Sequence, residues 1–372
     1  MNEIFDRVLQ AARKLGASDV HLKVGLPPVF RIRGVLRTLK DVPPMTSEVV
    51  MTFAMNIMND PIHEKFMRDH EVDLAYATPD GLRYRVNVFR QRGETGMVMR
   101  VIAADIPPFE RLNLPPRVRD LALEQRGLIL VTGITGSGKS TTMASLLNLV
   151  NYERAAHIIT IEDPIEYVFR DHRSVINQRE LGFDTNTFSA ALRSALRQDP
   201  DVVFVGEMRD HETIQTALLA AETGHLVFST LHTLDAQETI NRIVQMFPPH
   251  QQTAIRLQVG AILTGVVSQR LLPRADGRGM IPAVEIMINT PRIRDLIVDG
   301  SRTHEIVDAI KEGAHPYGMV SFDQSLTELV QRQLVTYEMA IAAATNPDDF
   351  ALYFRGVASG QQGSGLQVDG GY

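Results

Sequence analysis

The sequence predicts an α/β protein of two domains: a small α+β domain with antiparallel pairing, then an α/β domain whose parallel sheet is covered on both faces. Three observations predict this. Early in the chain apolar and polar residues alternate in short runs, as in "SDVHLKV" (18–24) and "PVFRIRGVLRTL" (28–39). Later, the continuous runs "LILVT", "HIITI", "DVVFVGE", "LVFSTLH" and "PAVEIMI" alternate with helical stretches, the pattern of a parallel sheet buried on both sides. Between the two regions "ADIPPFERLNLPPRV" puts two Pro-Pro pairs in a short stretch, which neither a helix nor a central strand accommodates. The expected organisation is a first domain over 1–105, a linker over 106–117, a second domain with C-terminal helices over 118–350, and a tail over 351–372. The tail's "GVASGQQGSGLQVDGGY" has almost nothing to bury and is predicted to be disordered.

Composition narrows the function classes. With 372 residues, 44% hydrophobic and 22% charged, the chain can build two or three full cores. Its net charge of -6 gives no electrostatic footprint for wrapping nucleic acid. Glu3, Asp6 and Arg7 stand where a signal peptide would be apolar, and no run of 18 apolar residues occurs, so the expected location is the cytoplasm. The chain has no cysteine, which excludes disulfides and thiolate zinc sites and leaves oxygen or imidazole for any metal.

In chain order, Ile4, Phe5, Val8, Leu9, Ala12 and Leu15 define one face of an opening helix, and Gly16 follows where a C′ residue belongs. The turn signal Pro79-Asp80-Gly81 introduces "GLRYRVNVFRQRG". There, period 2 sets Arg83, Arg85 and Asn87 on one face and Tyr84, Val86 and Val88 on the other.

The second domain opens on Gly133-x4-Gly138-Lys139-Ser140, a Walker A pattern placed between a strand predicted over 128–132 and a helix from about Ser140. Met143, Leu146, Leu147 and Val150 give that helix a face for the sheet, with its N-terminus aimed at the loop. Gly133, Thr135, Gly136, Ser137, Gly138 and Thr141 complete a cradle for the phosphates of ATP. Lys139 would neutralise the β and γ oxygens, and Ser140 would ligate Mg²⁺.

Three further motifs end apolar runs. "TIEDPIEY" carries Glu162, Asp163 and Glu166; ligands of open parallel sheets bind at the carboxyl ends of strands, so these acids are candidates to polarise water or hold a water of Mg²⁺. The stretch alone also fits a solvated acidic turn. "DVVFVGEMRD" ends in Gly206-Glu207, where a Walker B acid belongs; glycine occupies the usual aspartate position, so Glu207 holds the metal directly or through water, or shares it with the preceding acids. "LVFSTLHT" ends on His232, a structural histidine by default and a γ-phosphate contact if it shares the rim of Lys139, Glu166 and Glu207. Arg83 and Arg85 fit a solvated sheet face, or an arginine finger reaching a neighbouring subunit's nucleotide, worth ~10³ to 10⁵ in rate, or roughly 4 to 7 kcal/mol.

Taken together, "GASDVHL", "TGITGSGKSTT", "TIEDPIEY", "INQRELGFDT", "ALRSALRQDPDVVFVGEMRD" and "AAETGHLVFSTLHT" resemble, in this order, the secretion ATPase superfamily, the hexameric motors of type II secretion and type IV pili. Within it the resemblance is to the pilus retraction ATPases, the PilT family, from about Met1 to Ala344. The resemblance implies a PAS-like first domain and a RecA-like second one, in a homohexamer with nucleotide between domains and between neighbours. It also implies Glu166 as general base, Glu207 in the Walker B role, His232 in the His-box role, and Arg83 and Arg85 as trans arginines. Assembly ATPases that extend pili usually resemble this core but carry a four-cysteine zinc module, so the absence of cysteine speaks against extension; a pilus assembly or type II secretion ATPase stays an alternative reading. "MINTPRIRDLIVDG" resembles the family's retraction motif AIRNLIRE, departing from it at Arg292, Asp295, Val298 and Asp299. Ile293, Leu296 and Ile297 share one helical face, which alone fits packing on the core with Arg292, Asp295 and Asp299 merely solvated; the resemblance implies instead that these charges are the coupling surface to the inner-membrane platform protein, with the chain only peripheral to the membrane. Other readings are an accessory retraction motor resembling PilU that works beside a second pilus ATPase, a nucleotide-regulated scaffold, and a RecA-like nucleic-acid motor, which stimulation of the ATPase by DNA would reveal.

Overall fold

The computed structural model describes residues 3–32, 34–39, 42–78, 81–102 and 106–362. It divides into two units, Met1–Asp105 with Glu166–Val168, and Ile106–Ile165 with Phe169–Tyr372.

The first unit runs α1 (Glu3–Lys14), β1 (Asp19–Lys23), β2 (Val29–Ile32), β3 (Val35–Thr38), α2 (Ser47–Ile57), α3 (Asp60–Asp69), β4 (Glu71–Ala77), β5 (Arg83–Gln91) and β6 (Glu94–Ile102). Its strands form one antiparallel sheet in the order β3-β2-β1-β6-β5-β4, the α+β arrangement expected. Phe5, Val8, Leu9 and Ala12 of α1 share a core with Phe53, Phe66, Tyr84, Val86 and Val88. Ile4 and Leu15, expected on the same face, are exposed. Leu15 lies past the last helical residue, where Gly16 turns the chain at φ +62°. Sequence periodicity missed α2 and α3, whose starts are capped by the side chains of Thr46 and Asn59. Of the expected turn, Pro79 and Asp80 lie outside the described residues.

The second unit comprises α4 (Pro116–Ala122), β7 (Gly127–Thr132), α5 (Lys139–Glu153), β8 (His157–Glu162), β9 (Val175–Glu180), α6 (Phe188–Ala195), β10 (Val202–Val205), α7 (His211–Glu222), β11 (Leu226–Leu231), α8 (Ala236–Gln245), α9 (Gln252–Ile262), β12 (Leu263–Pro273) and β13 (Met280–Ile288). The helices α10 (Pro291–Val298), α11 (Ile306–Glu312), α12 (Ala314–Tyr317), α13 (Phe322–Gln331), α14 (Tyr337–Ala343) and α15 (Pro347–Gln362) follow. The sheet order is β13-β12-β7-β11-β10-β8-β9.

Two features differ from the sequence expectation. "PAVEIMI", grouped there with the parallel strands, is β13 and runs antiparallel to β12, because a short turn around Gly277 joins the two as a hairpin. The strands β12 and β9 went unread. β12 starts where α9 ends, so its apolar run merges with the helical pattern, and β9 is a polar edge strand. All other neighbouring pairs in this sheet are parallel. Residues 351–362 of the expected disordered tail belong to α15, whose Phe350 is buried in a satellite core with Leu272, Ile281 and Leu326; the rest of the tail lies outside the described residues.

Candidate functional site

The phosphate loop begins where β7, buried at every position between β11 and β12, reaches its carboxyl end. Gly133 adopts φ +139°, and a Cβ there would lie 2.4 Å from the Gln269 carbonyl oxygen and 2.6 Å from Ser137 Oγ, so no other residue fits. Gly138 is the left-handed N-cap of α5, and Met143, Leu146, Leu147 and Val150 are buried beneath the helix as its pattern required. Lys139 is buried, its Nζ donating to Gly133 O at 2.6 Å and Ile134 O at 2.9 Å. Ser140 and Thr141 occupy the first helical turn, half-buried, while Thr135 and Gly136 are exposed at the tip. Ser137 Oγ is buried without a hydrogen-bond partner. A rigid glycine turn, a held ammonium, an orphaned hydroxyl and a helix N-terminus at one point fit an anionic phosphate group. β12 buttresses the loop from the side: Ser268 Oγ accepts from Thr132 Oγ1 at 2.9 Å, and Gln269 Nε2 donates to Thr142 Oγ1 at 3.0 Å.

Backbone and hydroxyl hydrogen bonds join the motif ends along one rim of the sheet. Gly133 N–H donates to Leu231 O, beside His232; Thr230 Oγ1 donates to Gly206 O at 2.6 Å; and Gly206 N–H donates to Ile161 O at 2.8 Å. The glycine in place of a Walker B aspartate stands where β10 ends close against β8. A Cβ on Gly206 would sit 3.2 Å from Ile161 O and 3.4 Å from Glu162 Cα, a tight fit at the end of β10 that a shift of a few tenths of an ångström would relieve.

Glu207 follows, half-buried, and meets a guanidinium and an imidazole. Arg209 Nη2 lies 2.8 Å and His232 Nε2 3.4 Å from its Oε2, while Arg209 Nη1 also approaches Asp163 Oδ2 at 3.8 Å. Burial pushes the Glu207 carboxyl up, but the Arg209 hydrogen bond and the charges of His232 and Arg209 together outweigh it and hold the group below the ordinary carboxylate range. Glu207 therefore stays an anion. The Glu207 bond in turn raises Arg209. Sequence reading missed Arg209, although its place two residues after the acid was a signal.

The acids of "TIEDPIEY" separate. Glu162, at the end of β8, is 7% exposed, and its Oε1 accepts from Thr160 Oγ1 at 2.7 Å and from Gln178 Nε2 at 3.1 Å. Asp163 and Glu166 are exposed on the strap that leaves the strand. Arg83 and Arg85 stand on β5 of the first unit, opposite in direction to the buried Tyr84 and Val86. Among the described residues no group of three or more His, Asp or Glu side chains could hold a metal ion by itself. Mg²⁺ needs no such cage, since it keeps several waters and takes one or two protein oxygens together with substrate phosphates. Ser140, Glu207 and Glu162 supply oxygens of the kind such a requirement takes, Glu207 Oε2 being shared with Arg209 and His232 and Glu162 Oε1 with Thr160 and Gln178.

At α10, Ile293, Leu296 and Ile297 are buried as the pattern implied, and Thr290 caps the helix. The charges are less idle than a purely solvated face would be. Arg292 pairs with Glu312 of α11, and Asp299 accepts from Ser301 N at 3.1 Å, capping the next turn; Arg256 Nη1 donates to Ile297 O at 3.1 Å from α9. Asp295 is exposed.

Residues 1–338 match the family described as "Type II/IV secretion system protein". The chain belongs to that family. Within it, the chain is 43% identical to "Type IV pilus retractation ATPase PilT" of Pseudomonas aeruginosa over 92% of its own length and 98% of that protein. It is 42% identical to "Twitching motility protein" of Neisseria gonorrhoeae, over 87% of this chain and 86% of the relative. The fold agrees: a crystal structure of the pilus retraction motor PilT with bound ADP superposes with a TM-score of 0.86 at 45% identity, covering 92% of this chain and 97% of that one. The chain is thus a PilT-family member of the secretion ATPases. No helix among the described residues is long and apolar enough to cross a membrane.

Proposed function

We propose that this chain is a hexameric ATP-hydrolysing motor that powers type IV pilus retraction from the cytoplasmic side of the inner membrane. The observation that carries the proposal is the hydrogen-bonded rim on which the phosphate loop, the Glu162 strand, Glu207 and His232 converge. In this reading the loop amides and Lys139 bind the phosphates, and Ser140 and Glu207, with Glu162 through a water, would hold Mg²⁺. When bound, Mg²⁺ would supply charge neutralisation of the phosphates. Glu166 orients water and takes its proton as the water oxygen bonds to the γ-phosphorus. The bond to the β–γ bridging oxygen breaks, and ADP leaves with that electron pair. His232 reports on the γ position through Glu207, and Arg83 or Arg85 of a neighbour adds charge to the transition state. Similarity to retraction proteins over nearly the whole chain supports pilus retraction as the use of this cycle. Two measurements test it: Mg²⁺-dependent phosphate release by the purified protein, and imaging of cells lacking the gene. Hyperpiliated cells without twitching are expected. Normal twitching would overturn the proposal.

A second reading, an accessory motor, draws on 36% identity to the type IV pilus ATPase PilU of P. aeruginosa over 94% of this chain. Restoration of twitching by this chain as the sole retraction ATPase would exclude it.

A further inference from the structure

The segment "INQRELGFDT" carries part of the family resemblance, yet none of the tasks above uses it. In the fold it is β9 and its following turn, and β9 pairs in parallel with β8 so that Gln178 stands opposite Thr160 and Glu180 opposite Glu162. Parallel partners at matched positions project to the same face, so these four side chains share one side of the sheet at its carboxyl rim.

Two of them hold the strap on which Glu166 lies. Gln178 Oε1 accepts the Phe169 backbone N–H at 2.9 Å, and Glu180 Oε2, on a residue 5% exposed, accepts the Ile165 N–H at 3.3 Å. Glu166 is thus one residue from one fastening and three from the other. Farther along, the buried Asn151 of α5 donates to Arg170 O at 2.8 Å and accepts from His172 N–H at 3.0 Å, so the rest of the strap is tied to the helix that follows the phosphate loop.

Gln178 does more than hold the strap. Its Nε2 donates to Glu162 Oε1 at 3.1 Å, while Thr160 Oγ1 donates to the same oxygen. The chemistry of the site requires an amide. One side of position 178 is a carboxylate oxygen needing a donor, and the other is a backbone N–H needing an acceptor. Of the side chains of this length only glutamine offers both, and only one orientation of the amide satisfies both. Glutamate would face Glu162 with a like charge, and leucine would remove the acceptor for the Phe169 N–H and one of the donors to Glu162 Oε1.

We propose that Gln178 is a positioning residue for hydrolysis: by bridging Glu162 and the Phe169 amide it fixes the Glu166 strap against the end of β8, and so sets where the general base stands. This rests on the assignment of Glu166 as base. A misplacement of about 1 Å in such a group costs on the order of 10²-fold in rate, whereas nucleotide affinity, which belongs to the phosphate loop, is unaffected.

The test compares Gln178→Leu, Glu166→Gln and the double variant in the full-length protein, measuring kcat, KM for ATP and ADP affinity. The expected result for Gln178→Leu is a kcat lowered ~10- to 100-fold, with KM and ADP affinity within about two-fold of wild type. Because Gln178 acts through Glu166, the double variant should be no slower than Glu166→Gln alone. Should the leucine variant fail to assemble, Gln178→Glu, which keeps the acceptor for Phe169, and Gln178→Lys, which keeps a donor for Glu162, replace it; each should lower kcat with KM unchanged. A slow Glu166→Gln beside a wild-type kcat in the Gln178 variants, or a double variant slower by the product of the single effects, overturns the role of Gln178 and leaves the base assignment standing. Wild-type turnover by Glu166→Gln overturns that assignment, and the role of Gln178 with it.

Discussion

His232 Nε2 lies 3.4 Å from Glu207 Oε2, a contact between the ends of two adjacent parallel strands, β11 and β10. It joins motifs 25 residues apart in sequence and makes the histidine a partner of the carboxylate rather than an isolated strand end.

The first prediction follows from that carboxylate's charge. Glu207→Gln keeps the shape and the Arg209 neighbour but removes the anion, so ATP and Mg²⁺ should still bind while phosphate release falls by ~10²-fold or more. Lys139→Ala should lose nucleotide binding or turnover altogether. Near wild-type phosphate release by Glu207→Gln would refute the Walker B assignment.

The second concerns the arginines of β5. If a neighbour completes each site, specific activity should rise with protein concentration as rings form. Inactive Arg83→Ala or Arg85→Ala subunits should regain turnover when mixed with Lys139→Ala subunits, because mixed interfaces hold one intact loop and one intact arginine. Activity independent of concentration, from a monomer, would end this idea.

The third is a pH effect on stability. Glu285 of β13 is 4% exposed and accepts the Ala236 N–H of α8 at 2.8 Å. Burial, with Asp235 and Asp323 nearby, outweighs the Ala236 bond and the Arg270 charge and pushes its carboxyl from 4.5 up to about 7. The folded value is raised, so the stabilising contribution is complete below the unfolded value and is lost as pH rises through about 7. Relative to Glu285→Gln, the wild type should lose up to ~3 kcal/mol between pH 4.5 and 8, since each unit is about 1.4 kcal/mol. Urea unfolding midpoints of both proteins across that range check this; parallel pH dependences would contradict it.

The fourth concerns output. Asp295→Ala should alter stability by no more than about 0.5 kcal/mol. Asp299→Ala removes a cap and should cost ~1 kcal/mol, so the informative variant is Arg292→Ala with Asp295→Ala. It should retain hexamers and ATP turnover, yet fail to retract pili. Twitching at wild-type speed with that variant as the only retraction ATPase would show that α10 is not the coupling surface.

Features set by neighbours in the chain were legible in the sequence. The glycine turn between an apolar strand and an amphipathic helix, the alternation that buries Tyr84, Val86 and Val88, and the Ile293-Leu296-Ile297 face all follow from local dihedral preference and a period of 2 or 3.6. Sheet order was not legible. A parallel strand takes its partners from distant segments, so only the tertiary structure put Gln178 beside Glu162, Arg209 and His232 around Glu207, and Glu285 under the start of α8. The same reason governs Gly206: a glycine that looked like a missing ligand in the sequence stands, in the folded sheet, where β10 ends close against the backbone of β8.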